Sequence, residues 1–232
     1  MEKDISELEN RLDTTFSNKD TLRQAVVHRS YLNEHRDFPL DHNERFEFLG
    51  DAVLELIVTE HLYDNFPNPE GELTNWRASL VNSTMLSLVA EQLGVEEFLY
   101  MSRGESKEVN SKARQSILAN ALEAIIGAIY IDSDYDTAAT FIHKNIISKL
   151  AHILKYKLYL DAKSRFQETA QEQEGITPEY KVLEESGPDH KKHFVVGVYL
   201  NNIEVASGEG TSKQEAQMSA AEAALKAKGW FE

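Results

Sequence analysis

The spacing of apolar residues changes once along the chain, near Asp161, and this change constrains the fold more than any other feature. From Ile5 to about Lys157, apolar residues recur at helical spacing, in segments of about 10 to 20 residues broken by polar or Pro-containing stretches. No segment there alternates apolar and polar residues as a half-buried strand does. The sequence up to Lys157 is therefore predicted to be all-α.

The rest of the chain predicts a small α+β module with the order α-β-β-β-α. Residues 163–174 have a helical pattern. Three strands are predicted to follow, at Glu179–Glu185, Phe194–Leu200 and Ile203–Gly210. The pair Asn201-Asn202 is typical of a two-residue hairpin turn. A last helix is predicted to begin at Ser212, because Glu215 three residues later completes a capping box.

These patterns predict two domains with a short join. We assign residues 1–157 to the all-α domain and residues 163–232 to the α+β module, with residues 158–162 as a linker that contains no Gly or Pro. The chain has no cysteine, which excludes disulfides, thiolate metal sites and a cysteine nucleophile. This composition is compatible with a reducing cytoplasm, where we expect the protein to act.

Neither a secretory signal nor a membrane span is expected. The N-terminal sequence MEKDISELEN is charged from its second residue and lacks an apolar core. The longest apolar stretch, Ile117–Ile131, contains Asn120 and Glu123 and is too short to cross a bilayer. The formal net charge of −15 argues, taken alone, against binding to nucleic acid.

Acidic residues recur at helical spacing in the segment from Glu44 to Ile57. Glu44, Glu47, Asp51 and Glu55 share one face of the predicted helix. One interpretation is a solvated acidic face. The other is a buried helix with a cation at its acids, because the remaining positions are almost all apolar. Like charges at positions i and i+4 also repel unless a cation lies between them.

A second apolar segment, Ile117–Ile131, places Asn120 and Glu123 on one face. A buried Glu needs a partner, which could be a core arginine such as Arg29, Arg45 or Arg77. The alternative is an all-oxygen cluster that also includes Glu47 and Asp51. Such ligands suit Mg²⁺ or Mn²⁺ rather than Zn²⁺, and carboxylate-held Mg²⁺ typically serves phosphoryl chemistry.

Several motifs resemble bacterial ribonuclease III, in the same order and over roughly residues 5 to 229. The most specific is HNERFEFLGDAVLELIV, and ANALEAIIGAIYID is similar to the second metal-binding helix of that family. AVVHRSY and EGELTNWRASLVN also fit, and the sequence from DAKSRFQE to GEGTSKQEAQMSAAEAAL resembles the family's double-stranded-RNA-binding domain. The resemblance implies an all-α endonuclease domain, dimeric, that cuts both strands of duplex RNA with Mg²⁺.

The resemblance also implies roles for individual residues. The expected metal ligands are Glu47, Asp51, Asn120 and Glu123, of which Asp51 and Glu123 are the expected catalytic residues. Asn120 occupies a position where many members have Asp, so its amide oxygen can bind metal without adding negative charge. Glu44 and Glu70 match outer acidic positions. Phe48 matches an aromatic residue that plugs a pocket on the partner subunit; the alternative is an ordinary core phenylalanine.

In the second domain the resemblance implies contacts to duplex RNA from the first helix, the loop before the second strand and the start of the last helix. The expected RNA-binding residues are Gln167, Gln171, His190, Lys191, Lys213, Gln214 and Gln217. Many relatives have Lys or Arg at positions 214 and 217, so these glutamines could instead be ordinary surface residues. From Asp161 onward 8 basic residues face 13 acidic ones, so binding would depend on a local patch of Lys191, Lys192, Lys213 and Lys163.

The leading interpretation is an endoribonuclease that hydrolyses double-stranded RNA with Mg²⁺, or Mn²⁺ as a substitute, and leaves 5′-phosphate and 3′-hydroxyl ends. As a homodimer it would process structured rRNA and mRNA precursors. One alternative is a non-cleaving duplex-RNA-binding dimer weakened at Asn120. Another is an all-α Mg²⁺-dependent phosphohydrolase that acts on nucleotides, which the αβββα module argues against.

Overall fold

The computed structural model describes residues 3–107, 111–188 and 191–230 of the chain. The chain divides into two compact units, Met1–Ala151 and His152–Glu232. Among the described residues, no helix has the length and apolar character needed to cross a membrane. The predicted architecture, an all-α part followed by an αβββα module, is confirmed.

The first unit is built from helices. They are α1 (Ile5–Leu12), α2 (Lys19–Ala25), α3 (Arg29–Glu34), α4 (Glu44–Asn65), α5 (Glu70–Val81), α6 (Ser83–Gln92), α7 (Lys112–Asp132) and α8 (Tyr135–Asn145), with α9 (Leu150–Lys155) running into the second unit. Short 3₁₀ helices lie at Val95–Phe98, Glu105–Lys107 and Ile147–Lys149. The one β contact described in this unit is an isolated parallel bridge between Val27 and Tyr100.

Helix α7 is the centre of the first unit. Ser111 caps its start by accepting a hydrogen bond from the backbone N–H of Arg114 at 3.0 Å. Nearly every residue from Ile117 to Ile129 is buried, as expected for a helix that is apolar on all sides. Helix α4 packs along it and stops before Pro67, where Phe66 turns to an extended conformation.

Helix α4 is buried on one side only. Its buried residues are Val53, Leu54, Ile57, Val58 and Leu62, together with Gly50. Of the two interpretations of this segment, a helix buried on all sides is wrong, because Leu56, Tyr63 and Phe48 are largely exposed. The apolar spacing of α4 indicates which side chains would be buried by a neighbouring surface. Among the described residues, no such surface covers Phe48, Leu56 or Tyr63.

The second unit contains α10 (Ala162–Glu174), β1 (Glu179–Ser186), β2 (His193–Leu200), β3 (Ile203–Gly210) and α11 (Lys213–Ala227). The strands form one antiparallel sheet in the order β1-β2-β3. Asn201 and Asn202 have φ angles of 48° and 64°, so the predicted two-residue turn has the positive φ values of a type I′ hairpin.

Alanines bring α11 close to the sheet. The core of the second unit consists of Phe166, Ala170, Val198, Leu200, Ala220, Ala221, Ala224 and Leu225. A side chain at Gly208 would overlap the backbone nitrogen of Ala220, so strand and helix are in direct contact there. Ser212 caps α11 as predicted, because its Oγ accepts from the N–H of Glu215 at 3.1 Å. The Glu215 carboxylate reaches back to the N–H of Thr211 at 2.7 Å.

Candidate functional site

The acidic site arises where α4 crosses α7 with the two backbones in contact. A Cβ placed at Gly50 would overlap the carbonyl oxygen of Glu123, and one placed at Gly127 would overlap the carbonyl oxygen of Phe46. The sequence reasoning missed both glycines. Their signal was present, because a glycine inside a helix costs about 1 kcal/mol relative to alanine and so needs a packing reason.

This crossing brings together the four side chains that were predicted to act as one group. Glu47 and Asp51 lie on α4, on either side of Gly50, and Asn120 and Glu123 lie on α7. The Asn120 amide donates a hydrogen bond to the Glu47 carboxylate. Glu123 lies within electrostatic reach of both Asp51 and Glu47. The site therefore contains three carboxyl groups and one amide.

The environment of Glu123 favours its protonated form. Burial raises its pKa to about 7, and the nearby negative charges of Asp51 and Glu47 add to the rise. The pKa of Glu47 is also raised, first by burial and then by Glu44 and Asp51, while the hydrogen bond from Asn120 opposes the rise. The cluster therefore holds more negative charge than its own surroundings balance.

The alternative that a core arginine forms an ion pair with Glu123 is wrong, as far as the described residues show. None of the ion pairs in those residues includes Glu123. Arg29 instead pairs with Glu44, with 3.2 Å between Nη1 and Oε1. Arg77 donates to the Thr59 hydroxyl at 3.0 Å, and Arg45 is exposed.

The cluster has the right donor atoms for a hard cation but is not closed around one. Within the described ranges, no three His, Cys, Asp or Glu side chains converge tightly enough to hold a metal ion as they stand. Carboxylate and amide oxygens are the ligands that Mg²⁺ and Mn²⁺ prefer. A cation would also balance the charge that raises the pKa of Glu123. The residues thus fit a divalent metal, provided their side chains turn toward it.

The outer acids lie apart from this group to different degrees. Glu44 is held by Arg29 but still acts electrostatically on Glu47. Glu70 begins α5, where it accepts a hydrogen bond from the Thr74 hydroxyl at 3.2 Å. Glu55 is exposed, one turn beyond Asp51. Glu44 therefore adjoins the central group, whereas Glu70 pairs within α5 and Glu55 is exposed to solvent.

Phe48 lies on the outer face of α4 and is 82% exposed, so it is not the core phenylalanine of the alternative interpretation. Leu56 and Tyr63 continue the same face and are 57% and 78% exposed. Spacings of eight and seven residues keep these three side chains on one side of the helix. We refer to Phe48, Leu56 and Tyr63 as the apolar stripe.

The predicted RNA-binding residues of the first and last helices of the second unit meet at a polar groove. Gln167, Gln214 and Gln217 line this groove of about 520 Å³ together with Lys163. Lys163 donates to Gln217 at 2.8 Å. Gln171 lies further along α10 and accepts a bond of 3.5 Å from Thr177.

The remaining predicted RNA contacts belong to the β1–β2 loop and the start of α11. Lys191 is exposed, and its N–H donates to the Pro188 carbonyl at 2.8 Å. Lys213 is exposed at the first position of α11, where free N–H groups and the helix dipole also attract phosphate. His190 was predicted to enter the minor groove, but it lies outside the described residues.

An all-α unit with an acidic cluster, followed by an αβββα unit, defines a nuclease domain joined to an RNA-binding domain. Family models agree: residues 18–150 match "Ribonuclease-III-like" and residues 162–228 match "Double-stranded RNA binding motif". A protein from Natranaerobius thermophilus named "Ribonuclease 3" is 44% identical over 94% of both chains. Another of that name from Sulfurovum is 42% identical over 97% of this chain and 98% of the relative.

A solved structure gives the same result for the first unit. The nuclease domain of the Campylobacter jejuni enzyme, described in a study of flexibility in a region involved in its dimer formation, has a TM-score of 0.56 and 38% identity. The match covers 62% of this chain and 97% of that domain. The chain belongs to the ribonuclease III family of endoribonucleases.

Proposed function

We propose that this protein cleaves double-stranded RNA by Mg²⁺-dependent hydrolysis and leaves 5′-phosphate and 3′-hydroxyl ends. Mn²⁺ serves as a substitute metal. The observation that carries the proposal is the meeting of Glu47, Asp51, Asn120 and Glu123 at a crossing of two helix backbones. In the cell it acts in the cytoplasm on structured rRNA and mRNA precursors.

All four side chains contribute to the proposed metal site. Glu47, Asp51, Asn120 and Glu123 would hold the metal, which when bound activates water and offsets charge on the phosphate. Hydrolysis joins the water oxygen to phosphorus and breaks the bond from phosphorus to the 3′ oxygen, which leaves with a proton. Asn120 keeps Glu47 in place through its amide N–H and offers its amide oxygen to the cation.

The second unit supplies affinity for the duplex. Domains of this kind recognise the A-form shape through phosphates and 2′-hydroxyls, over about 16 base pairs. Gln167, Gln214 and Gln217 offer side-chain amides along one groove, and Lys191 and Lys213 offer positive charge. The overall acidity of the module does not prevent this, because phosphate responds to the charge of the local patch.

We also propose that the protein is a homodimer formed through the apolar stripe. Phe48 and Tyr63 lie fifteen residues apart on α4, which is about 22 Å at 1.5 Å per residue. A twofold axis between them would set two copies of α4 antiparallel, so that each Phe48 meets the Tyr63 end of the other copy. An open cleft of about 810 Å³ adjoins Tyr63 and is lined in part by Leu62, Phe66 and Leu73.

One assay tests the cleavage proposal directly. A labelled 30-base-pair RNA is incubated with the full chain and Mg²⁺ and then run on a denaturing gel, with the Glu123→Gln variant in parallel. Glu91→Gln is the matched control, because Glu91 is an exposed acid on α6 outside the cluster. We expect cleavage by wild type and by the control and none by Glu123→Gln.

The same gel distinguishes the second candidate, a non-cleaving duplex-RNA-binding dimer. Asn120 favours this candidate, because it leaves the cluster with three carboxyl groups where an aspartate would supply a fourth. A wild-type protein that binds the duplex but leaves it intact, combined with cleavage by Asn120→Asp, would establish the non-cleaving alternative.

A further inference from the structure

A carboxylate lies within the basic patch of the second unit. Glu185, near the end of β1, pairs with Lys192 through atoms 2.7 Å apart and with Lys213 through atoms 3.5 Å apart. Lys192 belongs to the β1–β2 loop and Lys213 to the start of α11. One acidic side chain thus joins two of the three RNA-contacting segments of the module.

The strand register keeps Glu185 in this position. Glu185 is paired across the sheet with Phe194 on β2, and Phe194 is paired in turn with Gly210 just before α11. The ammonium group of Lys213 lies over the ring of Phe194, 5.6 Å from its centre. The contact is therefore set by the backbone of the sheet as well as by flexible lysine side chains.

The chemistry of the contact resembles that of a phosphate contact. Two ammonium groups converge on one anionic oxygen pair, as they would on phosphate oxygens. Lys192 holds the pKa of Glu185 below its usual range, and Lys213 adds to the effect, so the carboxylate is charged at neutral pH. All three side chains are partly exposed, so the ion pairs are weak enough to exchange for another anion.

We propose that Glu185 competes with duplex RNA for Lys192 and Lys213: in the free protein its carboxylate pairs with both ammonium groups, and an RNA phosphate must displace it. The inference rests on the proposed RNA-binding role of the patch. Its consequence is a limit on affinity, because each binding event exchanges an internal anion for an external one. When displaced, the carboxylate also lies near the phosphate and repels it.

The expected result is a gain in affinity when the charge is removed. Glu185→Gln keeps the size of the side chain and removes its charge, so neither lysine is paired with residue 185 before RNA arrives. We expect binding of a 30-base-pair RNA in EDTA to tighten about three- to tenfold. The affinity should also fall more steeply with salt, since wild type recovers a cation at Glu185 as it releases cations from the RNA.

The chain offers a matched control in Glu184, the neighbouring residue of β1. Glu184 is exposed, and the described residues form no ion pair with it. Glu184→Gln removes the same charge from the same strand, so it measures the effect of net charge alone. Glu185→Gln in a Lys213→Ala background should show a smaller gain, because one of the two released lysines is absent.

Filter-binding titrations of the full chain and these variants, at several salt concentrations, distinguish the outcomes. Equal affinities and salt slopes for Glu185→Gln and Glu184→Gln, or weaker binding by Glu185→Gln at an unchanged melting temperature, would overturn the inference. Lys213→Ala tests the underlying role: if it leaves binding unchanged, the patch itself is wrongly assigned. Weaker binding by Lys213→Ala with no specific gain from Glu185→Gln would refute only the part played by Glu185.

Discussion

Gly50 on α4 packs against the main-chain carbonyl of Glu123 on α7, with no room for a side chain between them. The contact fixes the backbones on which Asp51 and Glu123 stand. Rigid elements in direct contact hold a site more accurately than loops do. The acidic cluster is therefore a consequence of how two helices cross.

Replacing Gly50 by alanine should separate the helices. The added methyl group meets backbone that cannot rotate away, so we expect the first unit to lose about 1–3 kcal/mol of stability, and the variant to lose cleavage activity. Gly71→Ala is the matched control, because an added Cβ there has no neighbour within 4 Å, and alanine favours the helix. Calorimetric melting of both variants measures the difference, and equal melting temperatures would contradict the packing argument.

Glu123→Gln should abolish cleavage and leave duplex binding nearly intact. The carboxylate belongs to the proposed metal site, whereas affinity is assigned to the second unit. Single-turnover cleavage in Mg²⁺ and equilibrium binding in EDTA measure the two properties separately. A variant that cuts near the wild-type rate would remove Glu123 from the site.

The raised pKa of Glu123 predicts that metal-free stability depends on pH. The group has a pKa of about 7 in the folded chain and 4.5 as its reference value, so the folded state binds the proton more tightly. Its favourable contribution is present below about pH 4.5 and is lost as the pH rises to about 7. With allowance for solvent screening, Glu123→Gln should gain about 1–3 kcal/mol over wild type at pH 8 and little at pH 4. Urea unfolding in EDTA at both pH values tests this.

Asn120→Asp should lower the Mg²⁺ concentration needed for half-maximal cleavage, by a few-fold to about tenfold, because the cluster gains a negative charge. Without metal the same change replaces a hydrogen bond to Glu47 with repulsion, so melting in EDTA should occur at a lower temperature. Replacing Mg²⁺ by Mn²⁺ should strongly increase the cleavage rate of wild type, since Mn²⁺ binds such ligands more tightly than Mg²⁺ does. Superimposable Mg²⁺ titrations would show that Asn120 is not a ligand.

Phe48→Ala should weaken the proposed dimer. The phenyl ring of Phe48 would leave water on dimer formation, and buried aromatic side chains commonly contribute much of an interface's energy, so we expect the dissociation constant to rise about tenfold or more. Ile203→Ala is the control, because Ile203 is an exposed apolar residue of the second unit. Sedimentation equilibrium across a dilution series measures both variants, and an unchanged dimer in Phe48→Ala would place the interface elsewhere.

Residues 1–157 alone should cut duplex RNA at low salt and lose activity faster than the full chain as salt rises. The truncation removes phosphate contacts, and with them the affinity that the full chain still has at higher salt. Initial rates for both proteins from 50 to 200 mM salt test this. If the two activity curves coincide, the second unit is not the RNA anchor.

The secondary structure was predictable where one periodicity dominates. Helix α7 and the three strands lie within a few residues of their predicted positions, because their apolar spacing admits one interpretation. The Asn201-Asn202 turn was predictable because asparagine tolerates positive φ. Helix α4 runs to Asn65, beyond the predicted Ile57, since its buried apolar residues continue at helical spacing through Val58 and Leu62 with no breaker until Pro67.

The site was only partly predictable. Residue spacing placed Glu47 with Asp51 and Asn120 with Glu123, but it could not show that the two pairs would meet, because that depends on the glycines at the crossing. The exposure of Phe48 could not be predicted, because apolar periodicity does not show whether an apolar face packs within its own chain or against a partner. The contacts of Glu185 were equally hidden, because Lys213 is distant from it in sequence.

The crossing of α4 and α7 also determines when the acidic cluster can form during synthesis. The acids of α4 and the residues of α7 are separated by some 70 residues of chain, and synthesis proceeds at about 5–20 residues per second. A growing chain therefore carries Glu47 and Asp51 for about 4–14 s before Asn120 and Glu123 have been made. During that interval the proposed metal site on the growing chain lacks two of its four residues, so cleavage would become possible only after α7 has been made and folded.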